Sequence, residues 1–531
     1  MPYNSVSPEQ LSTTQKVGQL FMPAAFINDT EEEIRKLENL IHNQYIGGIC
    51  FFHSRASAAT NFEGAKKIEY NKESLAVLRQ LILRYQAAAP VPLLISIDAE
   101  WGLAMRIEDT PQYPYAITLG AIQGKEDLLF RVGKAVGEDC INQGIHWNFA
   151  PVADVNCNPE NPVIGYRSFG EDAELVARKS VAFNQGLQAG GVLTSAKHFP
   201  GHGDTATDSH LGLPLITADR ELLGKREFPP FRALIEAGVD SVMVGHLSVP
   251  VLDPAEKTPA TISPLIIKDI LREQLGFKGV VVSDALNMHA VSSLFPEKGG
   301  LEYAAFNAGN DVLCFTEHVQ EGIEMILEKA DTGVIEEAFN RVWELKSRAI
   351  DKQPESFSEP ADPYSLNKEL AQASLTCLFE DPGLKKELQQ GDFECFAISK
   401  IAAPAFFTEI GADMSEIMHI DPTTNNPDAR LGKTKKPLVI GLFPPKVKPA
   451  NNFDISSEVL ALLDQLFRDR EVVLYLFGNP YVLDLLDLQA AKTVVVAYQD
   501  MLPFQQQAAL YFLGKTQAPG RLPVTLKNHS I

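Results

Sequence analysis

Residues 192–210 read V-L-T-S-A-K-H-F-P-G-H-G-D-T-A-T-D-S-H. The first five form a short apolar run of strand length, and Lys197 and His198 follow it directly. Beyond them Pro200, Gly201 and Gly203 exclude a regular helix, because proline lacks an N–H donor and glycine is a poor helix former. The stretch is therefore a strand that runs into a shaped polar loop, and His198 and His202 do not share a helical face as they would in a zinc-binding helix. Within the loop, Asp208-Ser209-His210 places a carboxylate two residues from an imidazole. That arrangement can fix a histidine's tautomer and favour its protonated form, giving a proton donor and acceptor that works near neutral pH.

Outward from this segment the same pattern recurs. Short apolar runs alternate with amphipathic helical periods from about residue 15 to 350, with candidate strands at 19–24, 47–52, 92–97, 147–151, 192–196, 241–245, 279–283 and 311–315. The intervening helices include 31–42, where Thr30 and Glu33 form a capping-box pattern, and 172–189. Eight parallel strands with intervening helices predict an α/β fold of the (β/α)8 barrel type. Asp98, Asp154, Lys197 with His198, His246 and Asp284 each follow one of these strands. In a barrel all such ends open on the C-terminal face, where catalytic groups cluster.

The barrel is expected to occupy residues 1–350. Residues 351–364, D-K-Q-P-E-S-F-S-E-P-A-D-P-Y, carry three prolines and no periodicity and read as a linker. A smaller α/β sandwich domain is expected over 365–531, with strands at 375–379, 395–399, 438–443, 472–477 and 493–498 and helices at 457–468 and 504–513.

A net charge of −21 argues against nucleic acid or an anionic membrane as partner, since phosphate binding needs a basic surface. No run approaches the roughly 20 apolar residues of a membrane span. The N-terminus M-P-Y-N-S-V-S-P-E-Q has neither a basic region nor an apolar core. The expected location is the cytoplasm, or the periplasm or exterior if a signal peptide has been removed. The six cysteines lack paired spacing and read as buried thiols.

Several residues can carry chemistry. Residues 279–288, G-V-V-V-S-D-A-L-N-M, are a buried strand ending in Asp284, where a rigid strand gives a carboxylate the precision a covalent nucleophile needs. An aspartate there also serves as a helix N-cap. Arg167 is the cation of an Asn-, Pro- and Gly-rich loop over 148–170 and can hold a polar ligand or a structural ion pair. Asp98 can bind sugar hydroxyls or pin backbone, and Trp101 can stack on a sugar ring or fill a core. His198, His202, Asp204, Asp208 and His210 are also the residue types of a metal-dependent hydrolase, although Lys197 beside them disfavours a cation.

Five ordered segments resemble glycoside hydrolase family 3, in its β-N-acetylglucosaminidase branch of the muropeptide-recycling type. They are I-D-A-E-W-G-L-A-M-R from Ile97, N-F-A-P-V-A-D-V-N from Asn148, N-P-V-I-G-Y-R-S-F-G from Asn161, the loop from Lys197 to His210, and V-V-S-D-A-L from Val281. The match they carry covers essentially all of the first 350 residues, and A-P-G-R-L-P-V-T-L from Ala518 resembles the end of the family's second domain. The resemblance implies a retaining exo-β-N-acetylglucosaminidase without cofactor or bound metal, acting on a carbohydrate such as an N-acetylglucosamine-containing glycan or muropeptide. It assigns Asp284 as nucleophile and His210, oriented by Asp208, as general acid and base, where most glycosidases use a second carboxylic acid. It further implies that Asp98, Arg106, Arg167, Lys197 and His198 bind the terminal sugar, with His246 and Met288 lining the same pocket. A neutral imidazole does not repel an anionic acceptor, so phosphorolysis beside hydrolysis is a chemical alternative. Where the family commonly has D-Q-E-G-G, this chain has Asp98-Ala99-Glu100-Trp101-Gly102, a departure at the pocket entrance.

Overall fold

The computed structural model describes residues 6–53, 70–205, 212–255, 257–350, 356–402, 404–413, 415–427 and 436–528. The chain divides into two compact units. The first comprises Met1–Tyr113, Asp127–Val155 and Val176–Asp362, and the second comprises Pro114–Glu126, Asn156–Leu175 and Pro363–Ile531.

The first unit is a closed ring of parallel strands. Strands β2 (Ala24–Phe26), β3 (Gly48–Phe52), β4 (Leu94–Ile97), β5 (Trp147–Asn148), β6 (Leu193–Phe199), β7 (Ser241–Val244) and β8 (Val280–Ser283) lie side by side in sequence order. Strand β1 (Phe21–Met22), separated from β2 only by Pro23, pairs in parallel with β9 (Leu313–Cys314), and Ser283 N–H donates to Val312 O at 3.0 Å. Those bonds join the last strand to the first and remove both sheet edges. Every residue of β3, β4, β7 and β8 is buried, as expected for a parallel sheet covered by helices.

With β1 and β2 counted as one strand broken at Pro23, each of the eight strands lies where the apolar runs predict it, with shifts at the ends. β5 is shorter than residues 147–151, because proline at 151 cannot donate to a ladder. β6 runs further than 192–196, so Lys197 and His198 belong to the strand itself, where the ladder to β7 shifts between Ala196 and Phe199. The helix Glu31–Gln44 begins with the predicted capping box: Glu33 N–H donates to Thr30 Oγ1, and Thr30 N–H donates to Glu33 Oε2. The helices Glu126–Asn142 and Ala173–Ala189 approach until a Cβ on Gly186 would sit 2.1 Å from the Phe130 carbonyl oxygen.

The second unit holds a six-stranded mixed sheet. Its strands are β10 (Thr376–Phe379), β11 (Glu394–Ile398), β12 (Met418–Ile420), β13 (Leu438–Leu442), β14 (Val472–Leu476) and β15 (Thr493–Val496), in the order β10-β15-β14-β13-β11-β12. Only the β10–β15 pair is antiparallel. Alternate residues feed two cores, one on each face: Leu438, Ile440 and Leu474 pack with Val459 and Leu463 of the helix Ser457–Asp469, and Val439, Val473 and Tyr475 pack with Ala508 and Phe512 of the helix Leu502–Phe512. β12 has no counterpart in the sequence reading, since only its three residues pair.

The continuous boundary at 350 and 365 differs from this division, because two early loops join the second unit. Ile117 and Ala121 lie in its core, and Gly120 abuts the Phe169 carbonyl. The predicted linker is held at its described end to the first unit: Ser358 O accepts from Arg79 at 2.8 Å and from Gln143 at 2.9 Å. Among the described residues no helix is long and apolar enough to cross a membrane.

Candidate active site

At the ends of β4 and β6 a buried charge cluster forms. Lys197 is 1% exposed, and its Nζ donates to Asp98 Oδ1 at 2.8 Å and pairs with Glu100 Oε1 at 2.7 Å. Arg106 donates to Asp98 Oδ2 at 2.7 Å, and its guanidinium carbon stands 3.8 Å from the centroid of the Phe52 ring. An ammonium buried this deeply is tolerable only when paired, and here two cations meet two carboxylates. Burial alone would raise the Asp98 pKa, but Lys197 and Arg106 outweigh it and hold the carboxyl well below the usual carboxylate range. The ionised Asp98 keeps acceptor capacity for ligand hydroxyls after both protein bonds are made. Glu100, which the sequence reading passed over, completes the charge balance; its only signal was its place two residues after Asp98.

The second cluster surrounds Asp154, which is fully buried. Its Oδ1 accepts the backbone N–H groups of His198 at 3.1 Å and His202 at 2.8 Å, and its Oδ2 lies 2.8 Å from His198 Nδ1. Since a carboxylate only accepts when ionised, Nδ1 of His198 carries the proton in this bond. Burial opposes the charge on Asp154, yet His198 and its hydrogen bonds lower the pKa below the ordinary value. Asp154 was visible in the sequence as a strand-end aspartate; its part in orienting His198 required the fold.

Asp284 follows β8 and is half-buried. Its N–H donates to Val244 O at 3.0 Å, and its Oδ1 accepts from Ala285 N–H at 2.7 Å. Burial would raise the Asp284 pKa, but His246, His198 and Lys197 nearby keep it below the ordinary range. This is an anion at neutral pH on a rigid strand end, with the electrostatic character of a nucleophile. His246, expected to line the sugar pocket, lies close enough to Asp284 to help hold its charge. Its Nε2 donates to Ala285 O at 2.9 Å and its Nδ1 lies 2.7 Å from Thr261 Oγ1, so both ring nitrogens are engaged within the protein, and the ring is 1% exposed. It braces the turn that carries Asp284. Met288, partly exposed, precedes the short helix His289–Ser292, four residues beyond Asp284.

The structure thus brings Asp98, Arg106, Lys197, His198, His246 and Asp284 to one end of the barrel. Arg167 belongs to the second unit, where its guanidinium donates to Val163 O at 3.2 Å on a loop shaped by Asn156 and Asn161. Asp208 and His210 lie outside the described residues. The metal alternative finds no support in the donors that are described. His198 is turned to Asp154, His202 Nδ1 to Thr205 Oγ1 at 2.8 Å, and Asp204 to Arg226 at 2.7 Å. Among the described residues no three His, Cys, Asp or Glu side chains form a group that could hold a metal ion.

Known proteins share sequence and fold with this chain. The β-hexosaminidase A of Pseudoalteromonas piscicida is 36% identical over 292 residues, a match that spans 52% of this chain and 47% of that one. The β-N-acetylglucosaminidase/β-glucosidase of Cellulomonas fimi is 29% identical over 396 residues, spanning 71% of this chain and 66% of that one. These matches therefore span about half to two thirds of the relatives' lengths. The structure of a glycoside hydrolase family 3 β-N-acetylglucosaminidase from Paenibacillus sp. str. FPU-7 superposes with a TM-score of 0.78 at 28% identity, covering 98% of this chain and all of that one. Residues 12–345 match the model of the glycosyl hydrolase family 3 N-terminal domain, and the chain belongs to that family.

Proposed function

We propose that this protein is a retaining exo-β-N-acetylglucosaminidase that releases terminal N-acetylglucosamine from peptidoglycan-derived fragments. The observation that carries the reading is Asp284, an ionised carboxylate braced by His246 beside the Asp98–Lys197–Arg106 cluster. The β-N-acetylglucosaminidase names of the relatives from Cellulomonas fimi and Paenibacillus support the same sugar.

In this reading Asp98, Arg106, Lys197 and His198 hold the hydroxyls and N-acetyl group of the terminal sugar. Asp284 attacks the anomeric carbon while His210, oriented by Asp208, protonates the departing oxygen. The anomeric carbon–oxygen bond breaks as the bond to Asp284 forms. His210 then takes a proton from water, which displaces Asp284 and regenerates the enzyme.

Product analysis on purified muropeptide fragments and on chitobiose, with and without phosphate, tests substrate and acceptor together. Free N-acetylglucosamine in both buffers is the expected product; a sugar phosphate in the second buffer would reassign the acceptor. Replacing Asp284 with Ala should abolish turnover. Replacing His210 should slow substrates with poor leaving groups far more than activated aryl glycosides, and equal losses on both would remove its role as the acid.

A further inference from the structure

Residues 198–205, the end of β6 and the loop beyond it, are held from one side by a pair of residues the mechanism does not use. Glu227 sits at the junction of the helices Arg220–Arg226 and Phe228–Glu236 and is 1% exposed. Its Oε1 accepts from Arg226 Nε at 2.7 Å, while its buried Oε2 has no hydrogen-bond partner among the described residues. That oxygen fills the space a side chain at Gly201 would need: a Cβ there would stand 2.5 Å from it, and the Gly201 φ of +127° already excludes most side chains. The same Arg226 reaches across with its second nitrogen to Asp204 Oδ2 at 2.7 Å. One guanidinium therefore serves two carboxylates, one on the loop stem and one beneath it.

Glu227 is faced by Arg226 from its own helix junction, by Asp204 from the loop, and by Asp154, which in turn carries His198 and His202. Burial pushes the Glu227 carboxyl up to about 7; Arg226 opposes that shift, and Asp154 and Asp204 add to it. When Glu227 is neutral, it places no charge against the Arg226 guanidinium that holds Asp204. When it ionises, Arg226 is shared and a further negative charge enters the surroundings of Asp154.

We propose that Arg226 and Glu227 form a buried clamp that positions residues 198–205, and that ionisation of Glu227 weakens the clamp's hold on Asp204. Both are positioning residues. The clamp rests on the proposed glycosidase activity only where turnover is its readout, so a second readout is independent of substrate.

The test compares wild type, Glu227→Gln and Arg226→Gln from about pH 5 to about pH 9, by kcat/KM on an aryl N-acetylglucosaminide and by backbone hydrogen exchange of residues 198–205. Glu227→Gln should match wild type within ~2-fold at about pH 6 and exceed it ~3- to 10-fold at about pH 8, because the weakening ionisation is gone. Arg226→Gln should lower kcat/KM ~10-fold or more throughout and speed exchange at His202 and Gly203. Wild type, and not Glu227→Gln, should show an added rise in exchange as pH passes about 7, beyond the intrinsic base dependence of exchange. Superimposable pH profiles for wild type and Glu227→Gln, or equal exchange in wild type and Arg226→Gln, would overturn the clamp. Failure of the wild type to cleave any N-acetylglucosaminide overturns the proposed function instead, and the exchange comparison then decides the clamp alone.

Discussion

Lys197 is the residue whose environment leaves the least freedom. Its ammonium separates Asp98 from Glu100, so replacing it with Met leaves two carboxylates facing each other out of water. Breaking one partner of a buried ion cluster costs about 3–5 kcal/mol, and urea unfolding of Lys197→Met should show a loss of that order. Adding Glu100→Gln should recover part of it, which a double-mutant cycle would measure as a coupling between the two sites. A second expectation concerns acid. The folded-state pKa values of Asp98, Asp154 and Asp284 lie below the ordinary aspartate value, so each contributes stability that is present above about pH 4 and lost as pH falls through its folded value. Asp154→Asn should therefore lose less stability than wild type between about pH 4 and pH 2, as followed by thermal melting. The types of these residues were legible from their positions after strands. Which oxygen meets which nitrogen was not, because Asp98 and Lys197 are 99 positions apart in sequence.

The strand-to-loop element at β6 shows where a local reading stops. Apolar periodicity ends at Ala196, yet the strand continues through Lys197 to Phe199, since buried carboxylates supplied by β4 and by the segment after β5 make polar side chains tolerable there. The loop beyond it depends on Gly201 for a reason that turn chemistry alone does not contain, the carboxylate of Glu227 beneath its α-carbon. Gly201→Ala meets both a left-handed φ and that contact, and should destabilise the fold by roughly 1–3 kcal/mol. Its kcat/KM on an N-acetylglucosaminide should fall with it; an unchanged kcat/KM would show that the stem's path is immaterial to turnover. His246 is the opposite case. Its position after β7 marked it for the site, but the turn after β8 and Thr261 take both of its ring nitrogens.

Across the whole first unit, the end of the barrel remote from Asp284 carries a buried charge of its own. Lys346, on the last helix of the unit, donates to Gln19 Oε1 at 2.5 Å, and burial pulls its pKa down to about 7. A lysine whose folded pKa lies below its unfolded value of about 10.5 costs stability below that value, fully so below its folded pKa. The native state then binds fewer protons than the unfolded chain, and stability rises with pH between about 7 and about 10. Lys346→Met should flatten that rise, so its melting temperature relative to wild type should be highest near pH 7 and decline toward about pH 10. A constant difference would show that the ammonium is solvated in the native state.

The sequence by itself determined the eight-stranded plan and the strand-end residues, because apolar period and polar punctuation are local properties written along the chain, and its ordered motifs carried the resemblance to the family. It also carried the second sheet, five of whose six strands stand out as apolar runs. Only the tertiary structure decided that two early loops belong to the second unit, that Lys197 is matched by Glu100 as well as Asp98, and that Glu227 lies under Gly201. Those facts are charge balances and close contacts between segments far apart in sequence. No periodicity encodes them, since they exist only once the barrel has closed.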